Sequence, residues 1–239
     1  KFVGGNEHAV TTPDSFKTVY KTVMDAELGP QFGYRGEGKI PLCWYAPILE
    51  MQSAASPSIV MFWCLTQGAI TVLHEFATQK QQDLFIPKLR TGEWGGTMGL
   101  TEPGAGSEVG AVKSRAVPTD VPGKYKLTGT KCFISSGDHD LAENIIHLML
   151  AKTPNAKEGT AGISLFIVPK FWVNDDGSMG AWNDVTTMGI EHKLGIHGST
   201  TATLSMGEND NCYGWMVGEA EVKDGRGIGM RQMFAYMNE

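Results

Sequence analysis

The sequence has no two cysteines at C-x-x-C spacing; Cys43, Cys64, Cys132 and Cys212 stand far apart. That excludes a zinc ribbon and points to reduced thiols in a cytoplasmic protein, or one of the mitochondrial matrix in a eukaryote. There is no Lys/Arg cluster either. Formal net charge is −6, which leaves no footprint for nucleic acid. No apolar run is long enough for a membrane span; the most apolar, residues 59–65, passes straight into Thr66-Gln67-Gly68. Internal repeats and low-complexity segments are absent. Three catalytic signatures lack a member. His74-Glu75 has no second histidine at zincin spacing, and Gly106-Ser107-Glu108 is not a hydrolase elbow. Asp138-His139-Asp140 would point adjacent ligands in divergent directions, so no metal site is expected.

What is present is a globular composition, 41% apolar and 19% charged. Residues 10–90 read as helical. Thr12 is an N-cap with Pro13 at the first helical position, followed by Phe16, Val19, Tyr20 and Val23 at helical spacing. Leu28-Gly29-Pro30 ends that helix, and residues 29–41 read as loop. A second helix covers residues 42–55, with Pro47 in its first turn or kinking it. Ser56-Pro57 opens a buried helix through Ala77. Thr78-Gln79-Lys80-Gln81 fits a capping box, opening a short helix that Pro87 should stop near Ile86.

From Gly92 the pattern changes to short strands and turns. Val121-Pro122-Gly123-Lys124 is a tight turn. Tyr125 and Leu127 share one face of a strand, and residues 144–150 and 162–168 are buried strands. His147 lies on one of them as a core histidine. Beyond Asp224-Gly225-Arg226-Gly227-Ile228-Gly229 the period is helical again, with Met230, Met233, Phe234 and Met237. The layout is α+β: helices, then a β-barrel or sandwich, then helix. Lys1 is not a start methionine, and residues 233–239 stop inside an apolar pattern, so a piece of a longer polypeptide is expected.

The segment Thr97-Met98-Gly99-Leu100-Thr101-Glu102-Pro103-Gly104-Ala105-Gly106-Ser107 organises the rest. It begins as a buried strand and ends as a turn. Glycines let backbone amides approach a ligand, and such a concavity suits phosphate. A plain turn joining two strands is the other reading. Gly104-x-Gly106-x-x-x-Gly110 loosely matches a dinucleotide fingerprint, but residues 111–117 alternate like a strand where a helix would be required. Phe133 and Ser135, two apart, share one strand face.

Together, Thr101-Glu102-Pro103-Gly104-Ala105-Gly106-Ser107, Tyr-x-Leu-x-Gly-x-Lys over residues 125–131, and Phe133-Ile134-Ser135-Ser136-Gly137 resemble the acyl-CoA dehydrogenase family. The likeness continues through residues 162–169, Lys193-Leu194-Gly195-Ile196-His197-Gly198-Ser199-Thr200 and residues 225–231. Residues 136–146 and 191–198 look nearest the 3-methylthiopropanoyl-CoA dehydrogenase-like branch. The resemblance implies an acyl-CoA dehydrogenase-like α–β–α layout: the remainder of an N-terminal helical domain (1–92), an antiparallel β-barrel or sandwich middle domain (93–220) and the start of a C-terminal helical domain (221–239). It implies FAD as cofactor, α,β-dehydrogenation of an acyl-CoA thioester, an electron-transfer flavoprotein as electron acceptor, and a homo-oligomer.

By position, Met98, Leu100 and Thr101 match residues at the flavin's pyrimidine edge. Gly106 and Ser107 match the pair at the FAD pyrophosphate, the serine also lying near acyl-CoA. Phe133 matches an aromatic, often tryptophan, that stacks by the isoalloxazine. Ser135 matches a position, often threonine, that reaches flavin N5. Ser199 and Thr200 are placed in a strand flanking the CoA channel. The catalytic carboxylate is expected beyond Glu239, so no catalytic residue is assigned. Glu102 is read as orienting a turn, and Asp138 and Asp140 as structural. An acyl-CoA oxidase, or a non-catalytic flavoprotein of the alkylation-response type, are the alternatives.

Overall fold

The computed structural model describes residues 1–5, 9–32, 40–218 and 223–238. Helix α1 (Asp14–Asp25) starts after Pro13, not at it. Thr12 does not cap it: its amide and hydroxyl both donate to Asp140 Oδ1, at 2.9 and 2.6 Å. A charged acceptor on a distant loop fixes that side chain away from the helix's free amides. Of the helical-spacing positions, Tyr20 is buried while Val19 is exposed, so the apolar stripe is narrower than the spacing predicts. The loop expected over 29–41 includes residues 33–39, outside the described residues.

Helix α2 (Leu42–Ala55) has the expected bounds and carries Pro47 within it. Helix α3 (Pro57–Phe76) begins on Pro57, and Ser56 before it makes no side-chain cap bond. Its 20 residues are long and apolar enough to cross a membrane by composition, but 61% of the most apolar window is buried inside the fold. The apolar stretch is therefore longer than residues 59–65. Helix α4 (Gln79–Arg90) has its capping box: Thr78 Oγ1 accepts the Gln81 amide, and Gln81 Oε1 accepts the Thr78 amide. Pro87 does not stop it near Ile86. Proline removes one donor, and the carbonyl it leaves unmatched belongs to exposed Asp83, where water can serve.

The strands are β1 (Trp94–Gly99), β2 (Arg115–Pro118), β3 (Lys124–Ser135), β4 (Asn144–Lys152), β5 (Ile163–Pro169), β6 (Phe171–Val173), β7 (Met179–Trp182), β8 (Val185–Ile190), β9 (Thr201–Met206) and β10 (Tyr213–Met216). The main sheet runs β1-β4-β5-β10-β3-β9-β8, with β2 against β3 and β4; β6 and β7 form a separate pair. The sheet is mixed, not wholly antiparallel as expected. β1 lies parallel to β4, from Trp94 opposite Asn144 to Gly99 opposite Met149. The chain leaves β1, makes the β2–β3 hairpin, and only then returns to β1's flank; such a crossover yields a parallel pair. The strand expected over 111–117 is only β2, because residues 109–111 form a 3-10 turn.

β4 and β5 are mostly apolar because both their faces are buried. Ile146, Leu148, Leu150, Ile163, Leu165 and Ile167 face a core shared with α3 and α4. Met149, Ala151, Phe166 and Val168 face a second core with Tyr125, Leu127, Leu204 and Met206. The sheet curls around that second core. Thr66 Oγ1 of α3 accepts the Gly96 amide at 3.0 Å. A Cβ on Gly96 would lie 2.6 Å from Ala69 Cβ, so glycine is what lets helix and strand meet. Helix α5 (Gly229–Met237) buries Met233 and Tyr236 and exposes Phe234 and Met237. Met233 is thus core.

Candidate functional site

β1 delivers residues 97–99 to the edge of the sheet, and the chain then turns sharply. Glu102 and Ala105 exchange backbone bonds, the Ala105 amide donating to the Glu102 carbonyl at 2.9 Å. Gly104 sits at φ +83°, a conformation that favours glycine. Neither Gly104 nor Gly106 is required by crowding. A Cβ at Gly104 would meet nothing within 4 Å, and one at Gly106 only the Thr101 methyl at 4.0 Å. Gly104, Gly106 and Ser107 are all exposed, with open space in front of them. Met98, Leu100 and Thr101 are half-buried.

β3 runs beside this turn. The Cys132 amide donates to the Thr101 carbonyl at 2.9 Å, so the two motifs from distant parts of the sequence share one wall. A bulge interrupts the β3–β9 register between Lys131 and Ile134, and Phe133 sits at φ +59°. The bulge inverts the strand's alternation. Before it, Tyr125, Leu127 and Lys131 point inward; after it, Ile134 does, and Phe133 and Ser135 point out. Phe133 is 62% exposed, an unusual state for a large aromatic on a strand.

Glu102 and Lys131 fasten the wall from behind. Lys131 Nζ lies 2.7 Å from Glu102 Oε1, with side-chain exposures of 0% and 4%. Nζ also donates to the Leu100 carbonyl at 3.2 Å. The carboxylate accepts the Lys113 and Ser114 amides as well, at 2.6 and 3.1 Å. Burial pushes the Glu102 carboxyl up, but the Lys131 ammonium and those bonds more than offset it, so its pKa stays below the ordinary value. Burial lowers Lys131, against the opposing pull of Glu102. The turn-orienting role read for Glu102 is what these bonds describe. Its partner Lys131 went unrecognised, although it stands two residues before Phe133 in the motif.

Ser199 and Thr200 require a correction. They lie in the turn before β9, not in the strand, and both are buried. The Ser136 amide donates to the Thr200 carbonyl at 2.6 Å, which places them against the end of β3.

Behind β4 lies a second buried polar group that the sequence did not announce. Lys170 Nζ stands 2.5 Å from Asp138 Oδ1, and Thr187 Oγ1 donates to Oδ2 at 2.8 Å. Asp140 is held by Thr12 and by Lys17 at 2.9 Å. The acids of this loop thus serve structure. His139 packs edge-on against Phe62, with ring centroids 4.9 Å apart. His147 Nδ1 lies 2.7 Å from Thr97 Oγ1, while its Nε2 has no partner among the described residues, so this core histidine is only half satisfied. Burial, with Lys170 nearby, pushes both imidazoles down to about 3. Cavities of about 420 and 540 Å³ flank α4 and share no residue with the wall.

Residues 97–208 match the model of the acyl-CoA dehydrogenase middle domain. Those residues form an acyl-CoA dehydrogenase middle domain. It is 68% identical over 240 residues to a butyryl-CoA dehydrogenase of Syntrophomonas wolfei, covering 100% of this chain and 39% of that one. It is 40% identical to the 3-methylmercaptopropionyl-CoA dehydrogenase of Ruegeria pomeroyi, over 95% of this chain and 37% of that one. Among solved structures, an acyl-CoA dehydrogenase from Bacillus anthracis complexed with FAD aligns with a TM-score of 0.69 at 25% identity, covering 94% of this chain and 35% of that one. The chain therefore spans about two-fifths of the length of the curated relatives it matches.

Proposed function

We propose that the intact protein is an FAD-dependent acyl-CoA dehydrogenase acting on a short acyl-CoA such as butyryl-CoA, with an electron-transfer flavoprotein as electron acceptor. The observation that carries this reading is the open turn at Gly104, Gly106 and Ser107 beside the outward-facing Phe133. The residues present fit FAD. Glycine amides and the Ser107 hydroxyl are donors for a pyrophosphate, exposed and uncrowded. Phe133 offers an aromatic face, and Ser135 a hydroxyl on the same side of β3. Met98, Leu100 and Thr101 are proposed at the flavin's ring edge.

When bound, FAD supplies the two-electron acceptor for α,β-dehydrogenation. This chain's residues bind and orient it, and close one face of the reaction site to water. The three acids weighed from the sequence are each engaged elsewhere. Glu102 is committed to Lys131, Asp138 to Lys170, and Asp140 to Thr12 and Lys17. In this proposal the base comes from outside residues 1–239, so these residues alone should be inactive. We retain the division into helical (1–92), β (93–220) and helical (221–239) parts, and a homo-oligomer, as parts of the same proposal. The free described cysteines agree with a cytoplasmic setting.

The test is anaerobic addition of butyryl-CoA to the FAD-loaded intact protein. Bleaching of the flavin absorbance supports the reading; an unchanged spectrum with every short acyl-CoA tried would overturn it. Ser107→Ala should weaken FAD by about 1.5–3 kcal/mol, the worth of a hydrogen bond to a charged group.

A further inference from the structure

We propose that the buried Glu102–Lys131 ion pair is a positioning device for the cofactor, locking the turn that carries Gly106 and Ser107 to the strand that carries Phe133 and Ser135. This rests on the FAD reading above.

Three observations carry it. First, the pair bridges the two segments. Glu102 belongs to the turn and Lys131 to β3, and Lys131 also bonds the Leu100 carbonyl, so one ammonium grips the turn at two points. Second, the bonds are directional. The carboxylate collects the Lys113 and Ser114 amides where the chain leaves the turn, fixing the turn's exit as well as its entry. Third, the grip sits at the bulge. Lys131 is the last inward residue before β3 inverts, and the Cys132 amide beside it bonds Thr101. Moving Lys131 moves the pivot on which Phe133 turns outward.

The energetics favour positioning over plain stability. A buried ion pair contributes little that two well-packed apolar side chains would not, and often less. What it adds is a single geometry: fixed donors and acceptors cannot slide as methyl groups can. The pyrophosphate end and the aromatic end of the wall lie on different segments, and their spacing has to match one rigid ligand. Preorganised spacing of that kind raises affinity by removing an ordering cost at binding.

The experiment uses the intact protein with FAD as probe. Lys131→Met and Glu102→Gln are made singly and together, and each apoprotein is melted and titrated with FAD. The double variant leaves no unpaired charge, so its melting temperature should return toward wild type. Its FAD dissociation constant should stay raised by about tenfold or more, and the visible band of its bound flavin should be shifted. A double variant that melts like wild type and binds FAD with wild-type affinity and spectrum overturns the proposal. Hydrogen exchange on the unsubstituted apoprotein tests it without any variant. The Lys113, Ser114 and Cys132 amides should already be protected before FAD is added; exchange that slows only on adding FAD overturns preorganisation. Unsubstituted protein that takes up no FAD overturns the cofactor reading and this proposal together, an outcome distinct from either of the others.

Discussion

Mild acid should destabilise the fold, through His139 and His147. Both imidazoles are buried, and both lie near pKa 3, below the 6.5 of an exposed histidine. The groups facing them explain why. Lys170 repels a proton from either ring, His139 repels one from His147, and Asp140 offers His139 only partial compensation. A histidine whose folded pKa is depressed favours the unfolded chain as pH falls through the unfolded value, because only the unfolded chain takes up the proton. Between pH 7 and pH 5 the folded rings stay neutral while the unfolded rings become charged. The difference is about 2 kcal/mol per histidine at pH 5, or about 4 kcal/mol for the pair. That is a large share of the stability of a typical domain. The interval from pH 7 to 5 also isolates the histidines, since the carboxylates held low, Asp140, Asp176 and Glu102, begin to cost stability only below about pH 4.5. The assay is urea unfolding followed by tryptophan fluorescence at both pH values. Equal unfolding free energies at pH 7 and 5 would refute the reasoning, as would either ring titrating near 6.5 in the folded protein by NMR.

Three further outcomes are expected. Gly96→Ala should cost about 1–3 kcal/mol, because the added methyl meets Ala69 and the α3 backbone; a melting temperature equal to wild type would show that α3 can retreat. Asp138→Asn leaves the Lys170 ammonium buried without its counter-charge and should cost about 3–5 kcal/mol in urea unfolding, so a value below 1 would mean water reaches that cluster. Phe133→Ala should change unfolding free energy by no more than about 0.5 kcal/mol, since the ring is exposed, while altering the bound flavin's spectrum; a large stability loss with no spectral change would reverse its assignment.

The elements most legible in the sequence were those whose signal is local. Residues 42–55 and the capping box at Thr78 appear in the structure as read, because helix propensity and capping depend on neighbours a few residues away. Tyr125 and Leu127 share a face as expected, for the same reason. Errors arose where a distant partner decided the outcome. Thr12 had every local mark of an N-cap and was claimed by Asp140. Pro87 looked like a stop, and solvent at Asp83 made it tolerable. The parallel pairing of β1 with β4 has no signature in either strand, since it depends on the route between them. For the site, the turn and the Phe133 strand were visible as motifs. The Glu102–Lys131 bond joining them was not, because pairing across segments has no period.

The bulge in β3 also limits how this wall can vary. Side-chain direction in a strand is a parity, and one extra residue inverts it. Straightening the bulge with every residue kept would not shift Phe133 slightly; it would send Phe133 and Ser135 into the core and turn Ile134 out to solvent, whereas deleting the one extra residue would leave all three facing as they do. Intermediate orientations do not exist along a strand. Substitutions can therefore change which side chains the wall presents, whereas a one-residue slip of register past Lys131 converts it between facing outward and not facing outward at all. Length variation should be tolerated after Pro118, where the turn at Gly123 is open, while at the bulge loss of the one extra residue keeps the wall's facing and a straightened strand with none lost reverses it.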